Sequence, residues 1–246
     1  MPSVSRKKIM QHTNQTVFDR TMKAKHLLFW KPYDVLSQFS PGVKKDQKTL
    51  SQFIDIPNVY SVGRLDRDSE GLMLLTDDGW TQHIFSSPKY HHQKTYLVQV
   101  ERTPSEHALQ QLRNGVQIKG GLTKPATVQI MNHPPELPPR IPPIRHRLNV
   151  ETTWLKITIT EGKNRQVRRM TAAVGFPTLR LVRTVMSLAS KNEDQYLTLS
   201  GLSPGQWRWL MPNEKRYLAS RCATISSQNP KKKRLISSKY KSTQTK

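Results

Sequence analysis

Nine short apolar runs, four to seven residues each, punctuate the chain at 26–30, 60–65, 72–75, 95–100, 126–131, 154–160, 180–185, 196–199 and 208–211. Runs this short, rich in aromatic and β-branched residues and bounded by turn formers, suit strands and not helices. Only 104–113 and 165–174 space their apolar residues as a helix does. Strands interrupted by so few helices imply an α+β domain around a long, mainly antiparallel sheet with flanking helices. At 246 residues the chain is long enough for one substantial core or two small ones, and it shows no internal repeat.

Charge narrows the choice of partner. The net charge of +23 implies a polyanion, either nucleic acid or an anionic membrane surface. Much of the excess sits at the ends. Residues 1–25 carry six Lys/Arg against one Asp, and 213–246 carry ten against one Glu. Both ends are polar, so they are expected to be a basic flexible arm and a basic disordered tail around a domain at 26–212. The densest tail cluster, Lys231, Lys232, Lys233 and Arg234, suits phosphates better than it suits nuclear import. Between 133 and 145 six prolines forbid helix and central strand, leaving an extended insert, read as a spacer in preference to an RNA contact.

Several classes are excluded. No run approaches the roughly 18–20 apolar residues of a membrane span, and no charged-then-apolar start suggests a signal peptide. A cytoplasmic, membrane-free chain is expected. The single cysteine, Cys222, rules out an internal disulfide and a Cys-pair metal site. None of the eight histidines forms His-x-x-x-His, and neither a Walker loop nor Gly-x-Gly-x-x-Gly occurs, so no metal or nucleotide cofactor is expected.

Three segments carry chemistry. Residues 63–71 read Gly-Arg-Leu-Asp-Arg-Asp-Ser-Glu-Gly. If 59–65 is extended, alternation puts Arg64, Asp66 and Asp68 on one face, where Arg64 would hold Asp66 ionised as a nucleophile or base. The plainer reading of Asp66 is a turn or cap residue. Tyr96 shares a strand face with Val98 and Val100, which suits a core, although a tyrosine there also suits stacking on a nucleobase. In 165–174, Val167, Met170 and Val174 form an apolar stripe and Arg165, Arg168 and Arg169 lie around the rest, with Asn164 as N-cap and Gly175 as stop. Such arginines are solvated charge, or an anion site for RNA phosphate or for the Asp66 carboxylate.

Four segments recur in a fixed order: Lys31-Pro32-Tyr33, the run from Gly63 through Leu72-Met73-Leu74-Leu75-Thr76 to Asp77-Asp78-Gly79, Lys94-Thr95-Tyr96, and Glu161-Gly162-Lys163-Asn164-Arg165-Gln166-Val167-Arg168-Arg169-Met170. Over roughly 27–210 the chain thereby resembles the RsuA/RluB/RluE/RluF family of rRNA pseudouridine synthases. The resemblance implies a sheet in two halves with an RNA cleft between them. It implies cofactor-free isomerisation of uridine in rRNA, with Asp66 as the catalytic carboxylate. Arg64 and Arg168 would orient Asp66, Tyr96 would lie against the uracil, and Val167 would line the pocket. RNA contacts are expected of Arg67, Lys94, Lys163, Arg165 and Arg169, besides the tail cluster.

The short N-terminal segment leaves no room for the S4-type RNA-binding domain of several relatives, which needs on the order of 50 residues. Among the branches of the family the chain resembles the compact RluE type, and the resemblance implies action on large-subunit (23S) rRNA; a monomer without a protein partner is expected. Trp30 and Asp34 stand where relatives commonly have Asn and Gly, which bears on the conformation of the loop they flank. The competing expectation is a non-catalytic rRNA-binding or assembly factor on the same fold.

Overall fold

The computed structural model describes residues 4–144, 151–188 and 195–228. Its elements run in chain order α1 (Val4–Lys23), β1 (His26–Lys31), β2 (Val35–Leu36), β3 (Lys48–Thr49), β4 (Tyr60–Ser61), β5 (Glu70–Thr76), α2 (Gly79–Ser86), β6 (Lys94–Glu101), α3 (Glu106–Asn114), β7 (Gln117–Ile118), β8 (Gly121–Leu122), β9 (Thr127–Ile130), β10 (Thr152–Ile159), α4 (Gln166–Ala173), β11 (Thr178–Ser187), β12 (Tyr196–Thr198), β13 (Trp207–Trp209) and α5 (Pro212–Gln228).

One sheet has the order β13-β1-β5-β11-β6-β10-β9, with β4 added on β5 and β12 on β11. Its pairings are antiparallel except at β5–β11, where only Glu70 opposite Val182 and Gly71 opposite Arg183 run parallel. That short seam joins two antiparallel halves, as expected of the α+β fold. Glycine is required at the seam. Gly71 has φ +108°, and a Cβ there would collide with the backbone oxygen of Arg183.

Alternation along the strands builds two cores. Leu27, Phe29, Met73, Leu75, Val98, Leu155 and Ile157 face the front, where α3 adds Leu109 and Leu112 and α4 adds Val167 and Met170. Leu28, Trp30, Leu72, Leu74 and Val182 face the back, against Ile84 and Phe85 of α2, Val17 of α1, and Leu218, Cys222 and Ile225 of α5. With both faces covered, β1 and β5 are buried throughout, which is why their sequences read as continuous apolar runs.

Three expectations are corrected. The segment expected as a flexible arm is helical over Val4–Lys23, and the first half of the expected disordered tail is the helix Pro212–Gln228, packed along α1. Leu218, Cys222 and Ile225 recur at helical spacing among small and charged residues, so the stripe is narrow and composition concealed it. Lys231, Lys232, Lys233 and Arg234 lie outside the described residues. The strand expected at 60–65 stops at Ser61, because Gly63 turns the chain with φ +72°.

The proline-rich insert is a strap fastened through Leu137, Pro138 and Arg140. Leu137 packs into the back core, and the Pro138 carbonyl accepts from Arg180 Nη2 at 2.8 Å. Farther on, the Arg140 guanidinium donates to the Pro142 and Pro143 carbonyls at 2.8 and 3.0 Å and lies 4.1 Å from the Tyr33 ring centroid.

The packing of α5 has a measurable consequence. Leu218 is fully buried, so Leu218→Ala should lower stability by about 2–5 kcal/mol in urea unfolding. A change near zero would mean that α5 does not belong to the folded unit.

Candidate active site

Residues 62–69 link β4 to β5 without a ladder of their own. Three side chains replace it. Ser37 Oγ donates to the Leu65 carbonyl at 2.7 Å and accepts from the Leu65 N–H at 3.1 Å. Lys31 is 0% exposed, and its Nζ donates to the carbonyls of Pro32, Val35 and Arg67 at 3.0, 2.8 and 3.2 Å. An ammonium has three donors, and all three are used. Burial pushes Lys31 down to about 7, although Glu70, Asp68, Asp34 and Asp66 favour its charge. From the other side Arg168 Nη2 donates to the Asp68 carbonyl at 2.6 Å.

The Asp68 side chain is held too. Arg165 binds both its oxygens, at 2.8 and 2.6 Å, and Arg168 Nε lies 3.3 Å from Oδ2. Burial alone would raise the Asp68 pKa; the Arg165 hydrogen bonds and the Arg168 charge together outweigh it and bring the carboxyl below its usual range. Where the loop enters β5, Glu70 and Arg180 form a buried two-pronged pair at 2.9 Å on each arm.

These clamps leave Asp66 half-buried and without a side-chain hydrogen bond or ion pair among the described residues. It opens on a cavity of about 470 Å³ and is the one carboxylate in the described lining, facing six cations: Arg64, Arg67, Lys94, Lys163, Arg165 and Arg183. Tyr96 and Val167 line the same space while belonging to the front core, so core packing does not take Tyr96 away from the cavity.

The pairings expected around Asp66 differ in detail. Arg64 donates to Gln38 Oε1 at 3.5 Å and not to Asp66. Residues 64–66 are not a strand, so the alternation that would have aligned the two side chains is absent. Arg168 pairs with Asp68 and is not among the residues that line the cavity. Arg169 turns away, donating to the Lys119 carbonyl and to Asn164 Oδ1. The N-cap of α4 is Arg165 in a left-handed conformation, not Asn164, whereas Gly175 ends the helix as expected, with φ +92°. Lys163 lines the cavity with its Nζ on the Gly121 and Leu122 carbonyls. Arg67 is paired with Asp34 at 2.5 Å.

Sequence reasoning missed Arg183, Ser37 and Phe85, all of which line the cavity. Only Arg183 left a signal, as a charge inside the apolar run 180–185. Among the described residues no group of three or more His, Cys, Asp or Glu is placed to hold a metal ion. Burial pushes the Cys222 thiol up to about 12, which leaves it inert.

Similarity to known proteins bears on this geometry. Residues 25–173 match the family model for RNA pseudouridylate synthase. The chain belongs to that family. It is 54% identical over 184 residues to "Ribosomal large subunit pseudouridine synthase E" of Vibrio vulnificus (strain CMCP6), covering 75% of this chain and 74% of the relative. It is 50% identical over 182 residues to the protein of the same name from Xanthomonas campestris pv. campestris, covering 74% and 93%. Among solved structures, one titled "Crystal structure of pseudouridylate synthase" superposes with a TM-score of 0.62 at 30% identity, covering 79% of this chain and 74% of that one.

The Asp68 clamp predicts a pH signature. A carboxyl whose pKa is lowered by folding adds stability above its unfolded pKa, and loses it as pH falls through the folded value. Asp68→Asn should therefore be less stable than the parent by a constant margin above about pH 5, with the margin vanishing in stronger acid. Thermal unfolding of both proteins across pH reads this directly. A margin that persists below pH 2 would remove the ionised pair from the account.

Proposed function

We propose that this chain isomerises uridine to pseudouridine in large-subunit ribosomal RNA, with Asp66 performing the covalent or proton-abstracting step. The observation that carries the assignment of Asp66 is its isolation: a half-buried carboxylate, without a side-chain partner among the described residues, on a cavity whose other charged lining residues are all cations. The family and the relatives named for the large subunit support the reaction and its RNA.

The reaction is an exchange within one nucleotide. The bond from uracil N1 to ribose C1′ breaks, the ring turns, and C5 is joined to the same carbon; C5 loses a proton and N1 ends with one. Electrons and atoms balance without oxidant or water. A uridine turned out of the RNA loses its stacking, worth roughly 1–3 kcal/mol per base, and Tyr96 with Val167 supplies a replacement surface. Arg64, Arg67, Lys163 and Arg165 stand where the RNA backbone enters and neutralise its phosphates. Arg168 acts on Asp66 through the loop, by fixing Asp68. The work is done in the cytoplasm by a monomer that needs no protein partner.

Asp66→Asn keeps size while removing charge and basicity. It should bind rRNA as the parent does and lose isomerisation by about a thousandfold or more. Multiple turnover by this variant would remove Asp66 from the mechanism. Mapping pseudouridines in rRNA from cells lacking the protein should show one site lost from the large subunit; an unchanged map would refute the reading as a whole.

A further inference from the structure

Two cations of the cavity lining have no acid bonded to them among the described residues. β6 and β11 are antiparallel neighbours, with Arg183 opposite Tyr96 and Met186 opposite Lys94. Alternation puts Lys94 on the face of Tyr96, and Arg183 on the face of Leu181, which lies in the same front core. All four line the cavity onto which Asp66 opens. Arg183 is 3% exposed. Its Nε donates to the Leu72 carbonyl at 2.7 Å, while its Nη2 is buried without a hydrogen-bond partner among the described residues. Lys94 Nζ reaches the His92 carbonyl at 3.3 Å.

Arg64 and Lys163, which line the same cavity, also bond only neutral acceptors, but both are more exposed than Arg183, and the other neighbouring arginines have acids. Arg67 has Asp34, Arg165 and Arg168 have Asp68, and Arg180 has Glu70. Lys94 has Arg183. Burial first, and then that like charge, brings Lys94 down to about 8. Enclosing two positive groups with no acid bonded to either costs stability, and a fold retains such an arrangement where a ligand brings an anion to them.

Resting on the reading above, we infer that Lys94 and Arg183 form an anion subsite that takes a backbone phosphate of the uridine turned into the cavity. A neutral uracil carbonyl satisfies one donor but neutralises no charge; a phosphodiester oxygen does both. Asp66 repels a phosphate, so the phosphate seats on the Lys94 and Arg183 side and the ribose and base are left to Asp66 and Tyr96.

The test uses the full chain and unmodified large-subunit rRNA transcribed in vitro with tritium at uridine C5, whose release reports isomerisation. Failure of the unaltered protein to release tritium would overturn the reaction itself. Given turnover, Lys94→Met should weaken RNA binding about tenfold and flatten the plot of log Kd against log salt by about one unit. Its single-turnover rate at saturating RNA should stay within about threefold of the parent, and Lys94→Arg should restore affinity. Arg183→Met should behave alike; if it does not fold, the Lys94 pair of variants still decides. An unchanged Kd and salt slope would overturn the subsite. So would a rate defect at saturating RNA with unchanged Kd, which would move these groups to the base.

Discussion

The site depends on polar side chains holding a loop that cannot hold itself. A carboxylate on a regular strand would be positioned by the ladder, but it would also be flanked by neighbours on the sheet. Placing Asp66 on an irregular turn frees it, at the cost of backbone groups that have no ladder partner. Ser37 satisfies both backbone atoms of Leu65. Lys31 gathers the Pro32, Val35 and Arg67 carbonyls around one ammonium. No neutral side chain could replace it, since an amide offers two donors and a hydroxyl one. That explains why a group whose charge is disfavoured by burial is nevertheless kept at the centre of the fold.

The same clamps shape the field at the cavity. Arg67 and Arg165 line it yet are neutralised from outside by Asp34 and Asp68. Each is thereby kept from bonding to Asp66 while still lining the cavity. Had either bonded to Asp66 directly, the carboxylate would be oriented but blocked. Routing Arg67 to Asp34 and Arg165 to Asp68 leaves the Asp66 carboxylate unpaired at the cavity.

Sequence made the sheet legible because its strands are buried on both faces and read as apolar runs. Eight of the nine expected runs coincide with strands, and the two expected helices are α3 and α4. The ninth, 60–65, failed where Gly63 takes a positive φ, a backbone event that hydrophobic alternation does not encode. Both terminal helices escaped notice for a different reason. The buried stripe of α5 uses Ala, Cys and Ser beside Leu218 and Ile225, and α1 buries Val17 and Thr21 among its described side chains, so neither stripe carries much hydropathy, and each is worth burying only once the back of the sheet lies beneath it. Within the site, motif order located Asp66, Tyr96 and Val167 at the cavity. It could not decide which carboxylate Arg168 holds, because Asp66 and Asp68 differ by two positions and the choice depends on the turn between them.

The seam between β5 and β11 ties these features together. Only two residue pairs join the halves there, and Gly71 lets the strands approach where any side chain would collide. Immediately on either side lie the Glu70–Arg180 pair, which also catches the proline-rich strap through Pro138, and Arg183, bonded across the seam to Leu72. The strap reaches the loop's other flank through Arg140 on Tyr33, two residues from Lys31. A segment without helix or strand thus braces both ends of the structure that presents Asp66. A seam of only two residue pairs is thus cross-linked by buried charge. Hydrogen-bonded arginines substitute there for the backbone ladder that a continuous sheet would have supplied.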